Sequence, residues 1–399
     1  MTALPTEPRA AVSALLALDT TSAKGTLPVI ALLEDTFAAA GAQVHRFVEP
    51  DGAKANLVAS FPAADGSLEG GVLLAGHADC VPVEGQAWTT PPFMPTERDG
   101  RIYGRGACDM KAFLALVACV APEIASARLR EPIHVGVTWD EEVTADGARA
   151  LVGQLVQLGI HPRIAFVGEP SNMRAIGAHK SMNSFTATFR GIAAHSSLLP
   201  RGLNAIRYAA QFIEFFHREV VDELRENGPR DDAYPVPYTT GGVNVVRGGI
   251  ARNTVPELVE LNFEFRALPE IEVAPIVAKI EAEIARLDAQ MKAAVPDDPA
   301  SDASLVGAEL EIVTLLSGLA SGPESEAALY AVRLGAHPTG EKVTYGTEAG
   351  IYEAAGMSAV VVGPGDIAQA HAADEYVSYE QLDECLAFLR NLIADISLA

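Results

Sequence analysis

The run PIHVGVTWDEE, residues 132–142, joins an apolar segment to three consecutive carboxylates. Its first part is typical of a buried β-strand, which would end where Asp140, Glu141 and Glu142 begin. An isolated acidic triplet of this kind is usually a solvated turn. It indicates a ligand site only if other metal-binding side chains lie at equivalent ends of neighbouring strands.

Strands and helices alternate on both sides of this run. Strand patterns cover 43–47, 55–60, 71–76, 132–139 and 163–168, and helical patterns cover 8–18, 26–41, 110–126 and 144–158. The alternation predicts an α/β fold, a mixed sheet with helices on both faces. Ligands of such sheets gather at the carboxyl ends of the strands.

A different pattern occupies the middle of the chain. Strands at 182–190, 241–249, 257–266 and 308–315 and helices at 202–226 and 271–292 follow the order β-α-β-β-α-β. This order is typical of a split βαβ, ferredoxin-like unit inserted into another domain. The alternating pattern returns with helices at 324–334 and 379–396 and a strand at 359–362, and 294–306 is predicted to be a loop. We therefore predict one domain from 1–175 and 317–399, interrupted by an α+β domain over 176–316.

Composition excludes several classes of protein. A formal net charge of -23, from 52 acidic and 29 basic residues, argues against nucleic acid or an anionic membrane as a partner. Four cysteines without C-x-x-C spacing indicate neither a disulfide framework nor a thiolate zinc site. The first 22 residues lack the basic start of a signal peptide, and no run of 18 apolar residues predicts a membrane span. We expect a cytoplasmic protein.

Four further segments place candidate ligands near predicted strand ends. GHAD carries His77 and Asp79, whose side chains share one face of a strand. GRGACDMK places Asp109 before a helix, GEP carries Glu169 after a strand, and QAH ends in His371. Each has an ordinary explanation by itself, since a strand-end histidine is often only hydrogen-bonded and Asp109 could cap the helix.

Together these residue types suit zinc-like cations. Five candidate ligands are too many for one tetrahedral site, but they suffice for two cations roughly 3.5 to 4 Å apart if one carboxylate bridges. The five are His77, Asp109, Glu142, Glu169 and His371. Asp79 would orient the imidazole of His77. Glu141 is left as a carboxylate beside the cations, which is the type of group that serves as general base in hydrolysis.

The combination of GHADCVP, GRGACDMK, DEE, GEP and a late histidine resembles metallopeptidase family M20 over nearly the whole chain. That family contains acetylornithine deacetylase, succinyl-diaminopimelate desuccinylase, aminoacylase and related carboxypeptidases. The resemblance implies two zinc ions per subunit, or cobalt in their place. It implies one cation on His77, Asp109 and Glu169 and a second on Asp109, Glu142 and His371. It also implies that Glu141 is the base, that Asp79 orients His77, and that a cis peptide bond follows Asp109.

The same resemblance implies that the inserted domain is a lid through which two subunits form a homodimer. GIAAHSS, residues 191–197, is similar to the family's GxxAHSS motif, so His195 is expected to polarise the scissile carbonyl in the partner subunit's site. Expected substrate contacts also come from further residues of the lid and of YGTEAG. They are Asn253 and Arg266, with Arg252, His179 and Lys180 competing for the substrate carboxylate, and Gly346 and Thr347.

YGTEAG and residues 363–377 most resemble acetylornithine deacetylases, which implies hydrolysis of N2-acetyl-L-ornithine to L-ornithine and acetate in arginine biosynthesis. Departures at Ala112, Ser171 and Ser181 affect the pocket rather than the chemistry. Acetylcitrulline, succinyl-diaminopimelate and dipeptides therefore stay open as substrates. A noncatalytic metal-binding module and a nucleotide-binding α/β protein are the alternatives from other classes, and the chain contains neither G-x-G-x-x-G nor a P-loop.

Overall fold

The computed structural model describes residues 3–297 and 304–398, and the chain divides into two compact units. The first unit comprises Met1–His179 together with Leu319–Ala399, and the second comprises Lys180–Gly318. Of the loop predicted over 294–306, residues 298–303 lie outside the described residues. The chain therefore leaves the first unit once and returns to it.

Fifteen β-strands occur in the described residues. In chain order they are β1 (Gln43–Val48), β2 (Ala55–Phe61), β3 (Val72–His77), β4 (Thr96–Arg98), β5 (Arg101–Tyr103), β6 (Ile133–Thr138), β7 (Ile164–Val167), β8 (Met182–Arg190), β9 (Ala194–His195), β10 (Thr240–Gly248), β11 (Thr254–Val255), β12 (Leu258–Arg266), β13 (Gly307–Leu316), β14 (Ser358–Val361) and β15 (Tyr376–Ser378).

Ten α-helices occur in the same residues, and none of them is long and apolar enough to cross a bilayer. They are α1 (Pro8–Leu16), α2 (Leu27–Ala40), α3 (Lys111–Ser126), α4 (Asp146–Gln157), α5 (Ala205–Phe216), α6 (Glu223–Asn227), α7 (Val273–Ala293), α8 (Glu326–Arg333), α9 (Ala349–Ala354) and α10 (Tyr379–Ile396). Short 3₁₀ segments lie at Ser22–Lys24, Ser196–Arg201 and Ile367–Gln369, and a π-helical segment lies at His217–Asp222.

Six strands form the main sheet of the first unit in the order β1-β2-β6-β3-β7-β14. β3, β6, β7 and β14 run parallel to one another, while β2 pairs antiparallel with β1 and with β6. Every residue of β2, β3, β6 and β7 is buried, as expected for strands with helices on both faces. The α/β fold with a mixed sheet that the sequence predicts is confirmed.

Helices cover both faces of this sheet. One hydrophobic core contains residues of α1, α2, α3, α8 and α10, and a second contains residues of α4 and α9. The carboxyl ends of the four parallel strands meet at one edge of the sheet. This is the edge at which open α/β sheets bind their ligands.

The second unit is an antiparallel sheet in the order β10-β12-β8-β13. β8 and β12 alternate between buried and partly exposed residues, and their buried face packs against α5 and α7. Aromatic rings fill this core, with Phe263 stacked on Phe185 at 5.1 Å between centroids and packed edge-on against Phe212 at 5.0 Å. A small two-stranded sheet of β9 and β11 is added to the β-α-β-β-α-β order.

Some elements differ from the sequence prediction. α5 begins at Ala205 rather than at 202, because the side chain of Asn204 accepts a hydrogen bond from the backbone N–H of Arg207 and caps the helix. The π-helical segment then separates α5 from α6. β4, β5 and β15 were not predicted from the sequence, since three residues are too few to show a strand period.

Candidate metal centre and active site

Three parallel strands bring candidate ligands to the same edge of the sheet. β3 ends at His77, which lies in register with Thr138 at the end of β6. The turn after β6 carries Glu141 and Glu142, and Glu169 follows the end of β7 by two residues. Parallel pairing places these strand ends side by side, so their side chains converge.

Two connecting segments supply the remaining candidates. Asp109 lies two residues before α3, and the peptide bond from Asp109 to Met110 is cis, as the resemblance implies. His371 lies between β14 and β15 with a φ of +61°. Its side chain is 53% exposed, whereas those of His77 and Asp109 are 0% and 7% exposed. His371 is thus the exposed member of an otherwise buried set.

The carboxylate of Asp109 contacts both histidines. Its Oδ1 lies 2.9 Å from Nε2 of His77, and its Oδ2 lies 3.2 Å from Nε2 of His371. Oε1 of Glu169 lies 3.5 Å from the same nitrogen of His77, and Oε2 of Glu142 lies 2.9 Å from that of His371. Asp109 therefore stands between two groups of ligand atoms and turns one oxygen toward each, as a bridging carboxylate does.

Glu141 lies within the same cluster. Ligand atoms of His77, Glu141 and Glu169 lie within 4.8 Å of one another, as do those of His77, Asp109 and Glu142. The sequence prediction leaves Glu141 outside the ligand set, yet its carboxylate lies close to the carboxylate of the predicted ligand Glu169. A carboxylate at this place is positioned to exchange a proton with a molecule bound at the ligands.

Burial and mutual repulsion act on the carboxyl groups of the cluster. Burial raises the pKa of Glu142 to about 7 and that of Glu169 to about 8, and the charge of Asp109 adds to both shifts. Burial also raises the pKa of Glu141 well above its ordinary value, with the charge of Glu169 adding to it. Both effects disfavour the charged carboxylate. Burial and the closeness of the carboxyl groups to one another thus make it unfavourable for all of them to be ionised at once.

The two histidines counter part of this charge. Hydrogen bonds to Asp109 and Glu142 raise the pKa of His371 to about 10. Burial favours the neutral ring of His77, but the carboxylates of Asp109 and Asp79 outweigh it and raise the pKa of His77 well above its ordinary value. Burial likewise opposes ionisation of Asp109, but hydrogen bonds from both imidazoles hold its pKa below the usual range. The neighbouring carboxylates thus favour a positive charge at both imidazoles.

The residues of this cluster fit divalent cations. Oε1 of Glu142 is buried and has no hydrogen-bond partner among the described residues, and a buried polar atom in that state is costly unless another group satisfies it. Imidazole nitrogens and carboxylate oxygens are the ligands of zinc-like cations, and one shared carboxylate completes two sites. Cations would also replace the charge of the two imidazoles, which must be neutral to ligate.

Asp79 holds the turn that carries Glu141 and Glu142. Its Oδ1 and Oδ2 accept hydrogen bonds from the backbone N–H groups of Glu141 at 3.2 Å and Glu142 at 3.3 Å, and Oδ2 also accepts from Oγ of Ser22 at 2.8 Å. Nδ1 of His77 lies 3.0 Å from the carbonyl oxygen of Asp79 but 3.6 Å from its carboxylate. The backbone of Asp79, more than its carboxylate, therefore orients the imidazole.

Glu348 lies within the motif YGTEAG and was not among the site residues predicted from the sequence. Its side chain is buried, with Oγ1 of Thr138 at 2.5 Å and the hydroxyl of Tyr352 at 3.1 Å from its two oxygens. Burial raises the pKa of Glu348, and its charge in turn helps to raise the pKa of Glu141. The motif includes Glu348, but only the packing shows that its carboxyl group contacts Thr138 and Tyr352.

Two of the residues predicted to contact substrate contact each other in the first unit. His179 is fully buried, and its Nε2 lies 3.0 Å from Oγ1 of Thr347. The same hydroxyl accepts a hydrogen bond from the backbone N–H of Ala349 at 3.1 Å, at the start of α9. Gly346 precedes Thr347 and is half-buried. His179 and Thr347 thus form a buried polar pair.

His195 lies in the second unit at the end of β9 and is exposed. The backbone N–H of Ser197 donates to its Nδ1 at 3.2 Å, and the hydroxyl of Ser197 lies 2.7 Å from the same atom. Because a backbone N–H can only donate, Nδ1 is the acceptor and the neutral ring carries its hydrogen on Nε2. His195 therefore presents an N–H donor away from its own loop.

The cationic candidates of the second unit differ in how they are paired. Arg266 binds Glu264 through Nε at 3.3 Å and Nη2 at 3.2 Å. Lys180 is fully buried and donates to the carbonyl of Tyr238, and burial lowers its pKa to about 8, with the charge of Arg266 adding to the shift. Arg252 is exposed and forms no ion pair with any residue the structure describes. Asn253, next to it, is also exposed.

Comparison with known proteins identifies relatives along most of the chain. A sequence model of peptidase family M20/M25/M40 matches residues 73–395. An acetylornithine deacetylase of Myxococcus xanthus is 34% identical over 396 residues, which cover 97% of this chain and 96% of the relative. An acetylornithine deacetylase of Shigella sonnei is 31% identical over 350 residues, which cover 88% and 85%.

Solved structures share the fold at low sequence identity. An M20 family metallo-carboxypeptidase of Sulfolobus solfataricus has a TM-score of 0.74 at 16% identity, covering 97% of this chain and 98% of that one. A dinuclear metal-binding M20 peptidase of Bacillus subtilis has a TM-score of 0.62 at 16% identity, covering 98% and 97%. Human carnosine dipeptidase 1 has a TM-score of 0.71 at 15% identity, covering 98% and 96%.

Proposed function

This chain belongs to peptidase family M20/M25/M40, and we propose that it hydrolyses N2-acetyl-L-ornithine to L-ornithine and acetate, a step of arginine biosynthesis. Family membership confirms the resemblance inferred from the motifs and makes the protein a metal-dependent hydrolase. The names of the relatives in Myxococcus and Shigella support the choice of amide.

One observation carries the mechanistic proposal. Asp109 turns one carboxylate oxygen toward His77 and the other toward His371, while Glu141 is buried beside them. A shared carboxylate with a separate acid at its side is what two-cation hydrolysis requires. Neither a nucleotide-binding protein nor a purely structural metal site needs that additional buried acid.

Six ligand positions would hold two zinc ions, which cobalt could replace. Their residues are His77, Asp109 and Glu169 for one ion and Asp109, Glu142 and His371 for the other. Bound there, the ions would supply Lewis-acid activation of water and of the amide carbonyl.

Glu141 is proposed to move the proton. Its carboxylate would accept a proton from the water molecule whose oxygen attacks the acetyl carbon. It would then deliver that proton to the nitrogen of ornithine as the carbon–nitrogen bond breaks. The products are the free amine and acetic acid, which becomes acetate when the second proton of the water molecule passes to solvent. The position of Glu141, whose carboxylate lies within 4.8 Å of ligand atoms of His77 and Glu169, favours this exchange, because a general base must lie within reach of the proton that it accepts.

His195 is proposed to stabilise the negative charge that develops on the carbonyl oxygen. Its Nε2 carries the hydrogen of the neutral ring, since Nδ1 accepts from Ser197. In a homodimer formed through the second unit, this N–H would act in the active site of the partner subunit. A fixed N–H donor aimed at such an oxygen stabilises the transition state more than the ground state.

Arg252 is our candidate for holding the substrate carboxylate. A guanidinium binds a carboxylate through two parallel hydrogen bonds, and Arg252 is exposed without an ion pair among the described residues. Arg266 already binds Glu264, and Lys180 is buried against Tyr238. Asn253, Gly346 and the pair of His179 and Thr347 are assigned to further contacts with the substrate.

Amine release by chelator-stripped protein, with zinc or cobalt added back, tests the proposal. The substrates are N-acetyl-L-ornithine, acetylcitrulline, succinyl-diaminopimelate, acetylmethionine and a dipeptide. Metal-dependent turnover with a clear preference for acetylornithine is the expected result. Preference for another amide would overturn the substrate assignment and keep the metal centre, whereas no turnover in metal-loaded protein would overturn both.

A further inference from the structure

A carboxylate outside the ligand set lies at the base of the candidate metal centre. Glu375 is 1% exposed, and its two oxygens accept four hydrogen bonds from the loop that follows β5. Oε1 accepts from the backbone N–H groups of Cys108 at 2.9 Å and Asp109 at 3.1 Å. Oε2 accepts from Nη1 of Arg105 at 2.7 Å and from the N–H of Gly106 at 3.1 Å. One side chain thus organises the backbone of the loop that carries Asp109.

Glu375 belongs to the segment that carries the exposed ligand, His371. It follows His371 by four residues and immediately precedes β15, which pairs with β5. The backbone pairing continues one step past the strands, since the N–H of Gly104 donates to the carbonyl of Glu375 at 2.9 Å. The loop that carries Asp109 and the segment that carries His371 are therefore hydrogen-bonded to each other beside the candidate metal centre.

Arg105 extends this connection to His371 itself. Its Nη1 donates to the carbonyl of Ala372 at 3.3 Å, and its Nη2 donates to Oε1 of Gln86 at 2.6 Å. Nε2 of Gln86 in turn donates to the carbonyl of His371 at 2.7 Å. The exposed loop is thereby tied to the buried guanidinium that Glu375 neutralises.

This connection determines how precisely His371 is placed. Its side chain is 53% exposed and its φ is +61°, so little packing surrounds it. Asp109, by contrast, is buried, and an exposed loop ligand moves unless other contacts fix its backbone. The ligand distance between His371 and Asp109 therefore depends on the contacts of Glu375 and Arg105.

We propose that Glu375 is a positioning residue of the metal centre, which holds the Asp109 loop and the His371 loop in register so that both can ligate the same cation. Groups behind the ligands of a metal site commonly change its affinity by roughly 10- to 100-fold when they are removed. The inference rests on the proposed function only in requiring a metal centre at these residues, and not on the identity of the substrate.

The test is a Co²⁺ titration of chelator-stripped protein, followed by visible absorption, for the parent chain and for Glu375→Gln. Glutamine keeps the size of the side chain but turns an NH₂ group toward one pair of donors. We expect the affinity for at least one cation to fall by about 10- to 100-fold and the cobalt absorption bands to change, because the ligand geometry at His371 is altered.

Glu283→Gln is the matched control. It removes a similarly buried carboxylate with its own arginine partner, Arg286, in the second unit, and cation binding should stay at the parent value. Gln86→Ala provides a milder second variant should Glu375→Gln fail to fold, because Gln86 is half-buried. It should weaken cobalt binding in the same direction by a smaller factor.

The outcomes separate this inference from the proposed function. A parent chain that binds no cobalt overturns the metal centre and this inference with it. A parent chain that binds cobalt, with parent-like affinity and spectrum in folded Glu375→Gln, overturns only the role of Glu375. If Glu375→Gln does not fold, parent-like cobalt binding in Gln86→Ala has the same consequence.

Discussion

Replacing Glu141 with glutamine removes the proposed proton acceptor and keeps the shape of the side chain. The backbone of the turn is held independently, because the N–H groups of Glu141 and Glu142 donate to the two carboxylate oxygens of Asp79. Neither of these hydrogen bonds uses the side chain of Glu141. The turn and the neighbouring ligand Glu142 should therefore keep their positions in Glu141→Gln.

The size of the effect follows from the role of the carboxylate. A positioned general base contributes roughly 10²- to 10⁴-fold in rate, which corresponds to about 3 to 5 kcal/mol at about 1.4 kcal/mol per tenfold. We expect kcat to fall by that factor with little change in KM, since the proton moves only in the transition state. Cation content should not fall, because His77, Asp109 and Glu169 stay in place.

The assay measures kcat and KM on N-acetyl-L-ornithine together with zinc content by elemental analysis. Asp140→Asn is the control, because it makes the same acid-to-amide change in the same turn at a residue that pairs with Lys54 instead of the ligand cluster. Its φ is +53°, a conformation that asparagine adopts more readily than most residues, so turnover should stay near the parent rate. Parent-like turnover in Glu141→Gln would refute the assignment of the base. Loss of zinc from that variant would show that Glu141 is a ligand instead.

Two further changes test other parts of the proposal, and a third tests how burial of a histidine affects stability. His195→Ala should lower kcat by roughly 10²- to 10³-fold, the usual effect of losing one oxyanion donor, with unchanged zinc content; an unchanged kcat would contradict its role. Arg252→Ala should raise KM for acetylornithine and leave kcat almost unaltered, whereas an unchanged KM would leave Arg266 or Lys180 to hold the carboxylate. Burial lowers the pKa of His134 to about 4 from an ordinary 6.5, so between these values the unfolded chain binds a proton that the folded chain does not. Stability should therefore fall as the pH drops from about 6.5 to 4, by up to about 3 kcal/mol from this residue. Urea unfolding at pH 7 and pH 5 measures the free energy of unfolding at each pH. The difference between the two values should be smaller for His134→Gln than for the parent chain. An equal difference would contradict the lowered pKa of His134.

Local patterns in the sequence were sufficient to predict the strands of the main sheet of the first unit and the residue types at their ends. An apolar run followed by DEE predicts a buried strand with carboxylates after it, because burial and alternation are properties of neighbouring residues. His77 ends an equivalent strand, and Glu169 follows another. Parallel pairing then requires these ends to meet, so the convergence of the cluster could be predicted before any distance was known.

Contacts between distant segments required the tertiary structure. Glu375 and Arg105 are 270 residues apart, and nothing in the residues near either one indicates the other. The orientation of His77 by a backbone carbonyl, the contact of Glu348 with Thr138 and the pairing of Arg266 with Glu264 depend on side-chain positions set by packing. The short strands β4, β5 and β15 depend on pairing with one another, because three residues carry no period of their own.

There is a physical reason why the sequence predicts some of these features and the tertiary structure is needed for the others. The sequence by itself determined which side chains can ligate a cation or carry a proton, since that is a property of each residue and of the strand it follows. Tertiary structure supplied the distances at which Asp109 faces both histidines, which the family resemblance had implied, and it alone decided that Glu375 joins the loops of Asp109 and His371. These arrangements arise when segments far apart in the chain pack against each other and exclude water, and burial then shifts the pKa values of the groups that they enclose.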